Sequence, residues 1–398
     1  MQNSSEKRHL ALDGIRGLAI ACIFLHHSVT HPLSGAVRST GDGLWGGFVA
    51  ELRLSLICFF VLSGFLLYGG FARALRERSG LRLGEYARRR AARVFPAYYL
   101  AILGSIVLLW GAQMPNLKMP SLAELPLFAV LGQNYSRATL EALDGPTWTL
   151  CIEAAFYVIL PLLALVLWRL RAGPRLQLTA LAGLFALGIA WRVPALGAHG
   201  PIGAKALPAF LPYFAIGMAL ALWNQHRARA RARTLSPAAT LALLGAAAAV
   251  VVLDGVWHFT STGGERGVLG IVGDVPAAAG FALLLAATLV GSGRAIGWLS
   301  WRPLVGLGVI SYSFYLWHLP LMLFWRRLGL EGGWVETAGL TFVATLTIAT
   351  VSWKLIEAPI LRWAHRSAPE RSGEGARRDR RRLEPGRRPR PVSVTELT

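Results

Sequence analysis

The chain has 398 residues, of which 54% are hydrophobic and only 16% are charged, and its formal net charge is +20. A soluble domain rarely combines so much apolar content with so little charge, so a chain of two or three soluble domains is disfavoured. The positive charge does not indicate nucleic-acid binding, because the arginines cluster between long apolar runs and no recognition motif accompanies them. The composition therefore indicates a membrane protein with basic loops.

Ten apolar segments are long enough to cross a bilayer, since a spanning helix needs about 20 mostly apolar residues. They lie at about 10–30, 48–70, 94–112, 148–168, 177–194, 208–224, 236–257, 268–290, 303–325 and 335–358. Arginine-rich connections such as 71–93 and 226–233 fall on one side if the spans alternate, and the positive-inside rule makes that side cytoplasmic. We therefore predict an all-α, polytopic membrane bundle of about ten helices with both termini in the cytoplasm.

The predicted organisation is a cytoplasmic N-terminus at 1–9, a transmembrane domain at 10–362 and a basic tail at 363–398. The tail is rich in Arg, Pro, Glu and Gly and cannot bury enough apolar surface to fold, so we expect it to be disordered and cytoplasmic. Its arginines either bind anionic lipid headgroups or only keep the C-terminus on the cytoplasmic side of the membrane. We expect no appended extracellular domain. The three cysteines lie in apolar runs with no metal-ligand spacing, which predicts buried thiols and no bound metal.

The first span carries unusual polar residues. Ionisable groups within a bilayer are costly, so each is a functional candidate. Asp13 and Arg16 are one helical turn apart and can pair, and His27 lies on the face of Arg16 about three turns further on. His26 points about 100° away from His27. Two interpretations stay open: a functional face along the helix, or an interfacial ion pair with both histidines at the outer headgroups.

Charged residues also mark the third and fourth spans. Arg90 and Arg93 share a helix face at i, i+3, which suits a phosphate clamp because guanidinium groups bind phosphate in a bidentate fork. Ordinary positive-inside charge explains the two arginines as well. Glu153 lies about one turn into the fourth span and needs a histidine or arginine partner from another span.

The remaining polar positions fall in three spans. Ser63-Gly64 predicts a close helix-packing notch. Ser311, Tyr315 and His318 follow a helical stripe at i, i+4 and i+7. Lys354 and Glu357 can form a structural pair at i, i+3. Together with the residues above, these positions predict a polar cavity inside the bundle.

Six sequence elements, in this order, resemble the acyltransferase-3 family of integral membrane acyltransferases: "LDGIRGLAIACIFLHH", "FFVLSGFLLY", "RAAR" before "VFPAYY", "TWTLCIEAAFY", "SYSFYLWHLP" and "LIEAP". The resemblance covers about residues 10–362. Family members typically move an acyl group from acyl-coenzyme A inside the cell onto a hydroxyl of a sugar or glycan. The resemblance therefore implies an enzyme of the inner or plasma membrane with acyl-CoA as co-substrate, no bound cofactor and a sugar-hydroxyl acceptor.

The resemblance also implies roles for particular residues. The family's functional histidine falls on His27, which would act as general base because imidazole titrates near neutral pH. The paired arginines fall on Arg90 and Arg93, which would hold the phosphates of coenzyme A. The acidic residue falls on Glu153, which would orient His27 or bind the acceptor. The supporting residues are Asp13, Arg16, Tyr315 and His318. An acyl-histidine intermediate and direct transfer both stay open.

Several alternatives are not separated by the sequence. The acceptor is either an envelope glycan or a glycosylated secondary metabolite such as a macrolide, with the strong arginine bias favouring the metabolite slightly. A secondary transporter would use the same His, Arg and Glu as an intramembrane proton relay, although no repeated half supports it. Membrane lipid is an expected partner, nucleic acid is not, and a homodimer is left open.

Overall fold

The structure is a computed structural model that describes residues 2–30, 44–111, 117–140, 142–143, 145–193, 200–229, 234–260, 268–330 and 333–366. Every regular element within these ranges is helical, which confirms the predicted all-α architecture. The predicted tail at 363–398 lies outside the described residues, except for 363–366, which continue the last helix.

The helices form a bundle whose elements follow the predicted apolar segments. In the first half they are α1 (Gln2–Thr30), α2 (Leu44–Glu51), α3 (Ser55–Glu77), α4 (Leu83–Leu109), α5 (Leu125–Ala129), α6 (Trp148–Arg169), α7 (Pro174–Arg192) and α8 (Gly200–Ala204). In the second half they are α9 (Leu207–Arg229), α10 (Pro237–Thr260), α11 (Val268–Val272), α12 (Val275–Val290), α13 (Gly293–Ile296), α14 (Arg302–Val309), α15 (Ser311–Arg327), α16 (Trp334–Ser352) and α17 (Ala358–Arg366). A π-helical segment, Trp353–Glu357, joins the last two.

Seven helical stretches among the described residues are long and apolar enough to cross a membrane. They are Leu10–Thr30, Trp45–Glu77, Leu83–Leu109, Gly145–Arg169, Gly200–Ala228, Pro237–Thr260 and Val335–Arg366. The pair α14 and α15 would make an eighth. The predicted count of ten is thus not confirmed: α7 is not among these stretches, and α12 has only 16 residues. The cytoplasmic location of the termini stays a prediction.

The predicted ninth span is not one straight helix, because α14 and α15 meet at an angle of 75°. A glycine-lined contact between α14 and α1 accompanies this break. A Cβ on Gly308 would overlap the carbonyl oxygen of Asp13, and one on Gly17 would overlap that of Leu304. The glycines thus allow α14 to lie directly on α1 at the Asp-Gly-Ile-Arg-Gly element, while α15 turns into the core.

The predicted notch at Ser63-Gly64 is confirmed as a packing contact between α3 and α9. A Cβ on Gly64 would overlap the carbonyl oxygen of Phe214, and a Cβ on Gly217 would overlap that of Val61. Small residues let helix backbones approach closely and increase van der Waals contact. This contact joins α9 to α3, the helix of this pair that also lines the cavity described below.

Candidate active site

A cavity of about 120 Å³, lined by apolar as well as charged and hydroxyl-bearing side chains, lies between α1, α3, α4, α6 and α15. The charged and hydroxyl-bearing side chains that line it are Arg16, Ser63, Arg90, Arg93, Thr149, Glu153, Tyr157, Ser311, Tyr312 and Tyr315. We call this space the arginine cavity. It brings together Arg16, Arg90, Arg93, Glu153 and Tyr315 from four different helices, although the sequence separates them by up to about 300 positions.

The Asp13–Arg16 pair is present as the helical spacing predicts. Arg16 Nη1 lies 3.0 Å from Asp13 Oδ1, and Asp13 is 2% exposed. Because a buried carboxylate needs a compensating charge, this ion pair fixes the Arg16 guanidinium at the wall of the arginine cavity.

Arg93 is held by Glu357, and the predicted Lys354–Glu357 pair is wrong. Arg93 Nη1 lies 3.5 Å from Glu357 Oε2, and Ser313 Oγ donates a hydrogen bond of 2.5 Å to Glu357 Oε1. Lys354 is exposed, whereas Glu357 is 1% exposed. The physical reason is that Glu357 ends the π-helical segment and faces the core, where it meets a guanidinium that needs a counter-charge.

Arg90 differs from the other two arginines because it forms no salt bridge with any of the described residues. Its guanidinium lies 6.0 Å from the centre of the Tyr157 ring. Arg90 also lines a wider groove of about 880 Å³ between the end of α3 and the start of α4, together with Arg73, Arg82 and Arg89. A single arginine is thus shared by a basic outer groove and an inner cavity.

Glu153 faces the arginine cavity and not His27. Its Oε1 accepts a hydrogen bond of 2.6 Å from Ser63 Oγ, so the partner is a hydroxyl where a histidine or an arginine was expected. The geometry therefore gives no support to the expectation that Glu153 orients His27. Ser63 was not identified as a site residue from the sequence, because helix packing at Gly64 was a sufficient explanation for the Ser63-Gly64 pair.

His27 and His318 form a direct pair, which we call the histidine pair. His27 Nδ1 lies 2.8 Å from His318 Nε2, and the two rings stack with their centres 5.0 Å apart. His318 is completely buried, and its Nδ1 lies 2.6 Å from the carbonyl oxygen of Tyr315. The ring of His27 thus turns into the bundle. His26 takes a different direction, with Nδ1 3.3 Å from the carbonyl oxygen of Val49.

These distances determine how protons are arranged in a neutral pair. A carbonyl oxygen only accepts, so Nδ1 of His318 carries the proton that bonds Tyr315 O. A neutral His318 then accepts at Nε2, and His27 donates from Nδ1. The free lone pair of the His27 ring is therefore on Nε2. In this tautomer the imidazole can act as a base that takes a proton at Nε2.

Tyr315 connects the histidine pair to the arginine cavity. Neither histidine lines the cavity, but the Tyr315 ring does, and its centre lies 5.6 Å from that of His318. The Tyr315 hydroxyl lies 2.7 Å from the carbonyl oxygen of Pro146, to which it donates, and 3.0 Å from Thr149 Oγ1. The phenol is thus fixed as a partition between the two parts of the site.

Comparisons with known proteins show what the chain is similar to. The family model of an acyltransferase domain matches residues 9–355. Similar curated proteins are the peptidoglycan O-acetyltransferase OatA of Listeria monocytogenes, 26% identical over 89% of this chain, and the O-acetyltransferase OatA of Staphylococcus aureus, 24% identical over 92%. The putative peptidoglycan O-acetyltransferase YrhL of Bacillus subtilis is 26% identical over 90% of this chain.

The chain spans only 56–60% of the length of these relatives. No solved structure matches it significantly. The family match covers nearly all of the helical bundle, including the arginine cavity and the histidine pair. The chain therefore belongs to the acyltransferase-3 family of multi-pass membrane proteins.

Proposed function

We propose that this protein is a membrane O-acyltransferase that moves an acetyl group from acetyl-coenzyme A to a carbohydrate hydroxyl of the cell envelope, with peptidoglycan as the first acceptor to test. The acceptor class follows the names of the Listeria and Bacillus relatives. The observation that carries the proposal is the placement of the histidine pair directly behind the Tyr315 wall of the arginine cavity. A transporter does not need an anion-binding cavity placed next to a pair of histidines that can act as a base. Family membership also favours the acyltransferase.

The donor would enter through the basic groove and reach the arginine cavity past Arg90. Guanidinium groups bind phosphate by charge-assisted, bidentate hydrogen bonds. Arg90 is the main phosphate ligand in this proposal, because it has no carboxylate partner among the described residues and borders both spaces. Arg93 would contribute its remaining donors, since Glu357 already holds one side of it.

The distance along α1 suits a long, flexible donor. Arg16 and His27 are eleven residues apart, which corresponds to about 16 Å of helix. Because Arg16 lines the arginine cavity, a thioester that is to reach His27 from that cavity suits a donor with a long arm such as pantetheine. Tyr315 lies on this route, so in the proposal the phenol side chain moves aside when the acyl group enters.

His27 would act as the general base. Its Nε2 takes the proton of the acceptor hydroxyl while the hydroxyl oxygen attacks the thioester carbonyl carbon. The carbon–sulfur bond then breaks, an ester forms, and the imidazolium of His27 returns the proton to the departing thiolate. His318 holds His27 in the required tautomer through its own bond to Tyr315 O. Glu153 would not contact His27. It would instead bind a polar group of the acyl donor or of the acceptor substrate within the cavity.

The test uses the full chain purified in detergent, with acetyl-coenzyme A and soluble peptidoglycan fragments. We expect His27→Gln to lower the rate of acetyl-ester formation about 100-fold or more, since a positioned general base contributes about 10²–10⁴-fold. His26→Gln is the matched control, because it changes the neighbouring imidazole that points to Val49 instead of His318. Equal rates in the two variants would remove His27 from the mechanism.

A wild-type protein that acetylates no carbohydrate, measured as acetyl esters by mass spectrometry, would contradict the proposed reaction itself. A protein that acetylates a glycosylated metabolite but no peptidoglycan would keep the chemistry and replace the acceptor.

A further inference from the structure

A second cluster of ionisable side chains lies away from the arginine cavity, where α10, the start of α12 and the end of α2 meet. Asp254 and His258 are one turn apart on α10, and Asp274 immediately precedes α12. His258 Nε2 lies 3.3 Å from Asp274 Oδ1 and 3.9 Å from Asp254 Oδ1. The three ligand atoms all lie within 4.8 Å of one another.

Polar atoms of this cluster are buried without hydrogen bonds. Asp254 is only 2% exposed, and its Oδ1 has no hydrogen-bond partner among the described residues, although its other oxygen accepts from the Ala277 amide at 3.2 Å. His258 Nε2, which faces both aspartates, also lacks a hydrogen bond within the described part of the chain. Because a buried polar atom without a partner is costly, these two atoms point to a ligand between them.

The charges around the cluster do not balance. Arg53 Nη1 lies 2.9 Å from Asp274 Oδ1, and its Nη2 lies 3.0 Å from Glu51 Oε2. Three carboxylates, those of Glu51, Asp254 and Asp274, thus share one guanidinium. A neutral His258 leaves two negative charges uncompensated, and a protonated one still leaves one. A divalent cation bound to a neutral imidazole makes the cluster electrically neutral.

We propose that Asp254, His258 and Asp274 bind a Zn²⁺ ion, with a water molecule as the fourth ligand. One imidazole nitrogen and two carboxylate oxygens are ligands that zinc accepts. With metal–ligand bonds of about 2.0–2.2 Å, two ligand atoms of a tetrahedral site are about 3.4 Å apart. The distances of 3.3 and 3.9 Å from His258 Nε2 are near this value, so small rearrangements close the site.

The surrounding groups fit the role of orienting the ligands. Metal-bound carboxylates usually accept hydrogen bonds from neighbouring groups. Arg53 donates to Asp274, and the Ala277 amide donates to Asp254. The site would join α10 to α12 directly and to α2 through Arg53 and Glu51. Since α2 also contacts His26 on α1, the ion would stabilise the end of the bundle that carries the histidine pair. This inference does not depend on the proposed function.

The test measures metal content of the full chain, purified in detergent after removal of any affinity tag, treated with chelator and reloaded with ZnCl₂. We expect about one equivalent of Zn²⁺ per chain in the wild type and a rise of its thermal unfolding midpoint on zinc addition, because an ion that binds only the folded state stabilises it. Asp254→Asn and His258→Gln should each lose most of the bound zinc and the whole stabilisation. Asp254→Asn keeps an acceptor for the Ala277 amide.

Glu124→Gln is the matched control, since it removes a partly exposed carboxylate outside the cluster and should bind zinc like the wild type. Co²⁺ reloading of the wild type gives a second readout that needs no variant: a tetrahedral site with an imidazole ligand shows visible d–d absorption. A wild type that takes up no Zn²⁺ or Co²⁺ overturns the proposal. Equal zinc binding in the wild type and both cluster variants overturns it as well.

Discussion

The arginine cavity and the histidine pair share helix α1 but are built by different physical rules. The cavity is charged: Arg16 and Arg93 each have a carboxylate partner, and Arg90 has none among the described residues. The histidine pair lies among aromatic rings, with Phe24 6.4 Å from His318 between ring centres, and its hydrogen bonds join the two imidazoles to each other and His318 to the carbonyl oxygen of Tyr315.

The difference suits the two tasks that the proposed function gives to these regions. Guanidinium groups keep their charge in any environment and therefore suit the binding of an anion. Imidazole can be buried neutral and still exchange a proton, which suits acid–base chemistry. If this division is correct, changes in the cavity should alter stability or donor affinity, and changes in the histidine pair should alter the rate of the chemical step.

The largest expected effect is on stability, from Glu357→Ala. It leaves the Arg93 guanidinium buried without its counter-charge, and breaking a buried ion pair typically costs about 3 kcal/mol or more. The measurement is the unfolding free energy of the purified protein in detergent. Unchanged stability would mean that water in the cavity solvates Arg93 and that the charge balance there is unimportant.

The next effect concerns donor binding. We expect Arg90→Gln to raise the KM for acetyl-coenzyme A about 30-fold, since a hydrogen bond to a charged group contributes about 2 kcal/mol. The acceptor KM should stay the same. Arg93→Gln is the comparison variant and should have a smaller effect on donor KM, because Glu357 already occupies one side of Arg93. An increase restricted to the acceptor KM would place the acceptor, and not the donor, at Arg90.

A smaller effect is expected for the partner of His27. His318→Phe should lower kcat about tenfold without changing the donor KM, as loss of a group that orients a functional imidazole commonly does. His318→Gln should restore part of the rate, because its amide can donate to Tyr315 O and accept from His27. Equal kcat values for the Phe and Gln variants would limit His318 to a packing role.

The smallest effect is expected for Lys354→Ala. Lys354 is exposed and forms no ion pair with the described residues, so neither stability nor either KM should change measurably. A clear loss of stability would restore the predicted Lys354–Glu357 pair and contradict the assignment of Glu357 to Arg93. This variant is therefore the control for Glu357→Ala.

Much of the fold and of the site follows from the sequence because its signals are local. Apolar runs predict membrane helices, and the spacings within α1 and α4 predict the Asp13–Arg16 pair and the common face of Arg90 and Arg93. The break between α14 and α15 was not predicted, because the apolar run continues through it and only the glycine contact with α1 accounts for it. The count of ten spans also exceeded what the helix lengths support.

The sequence by itself determined which residues must avoid lipid: the intramembrane ionisable groups, and through them a polar interior. Only the tertiary structure decided how those groups are paired. It joined His27 to His318, Glu153 to Ser63 and Glu357 to Arg93, and it assembled Asp254, His258 and Asp274 into one cluster. The reason is that helical periodicity sets which side chains share a face, whereas partners on different helices are set by packing, and in a low-dielectric interior each buried charge takes the partner that packing brings near.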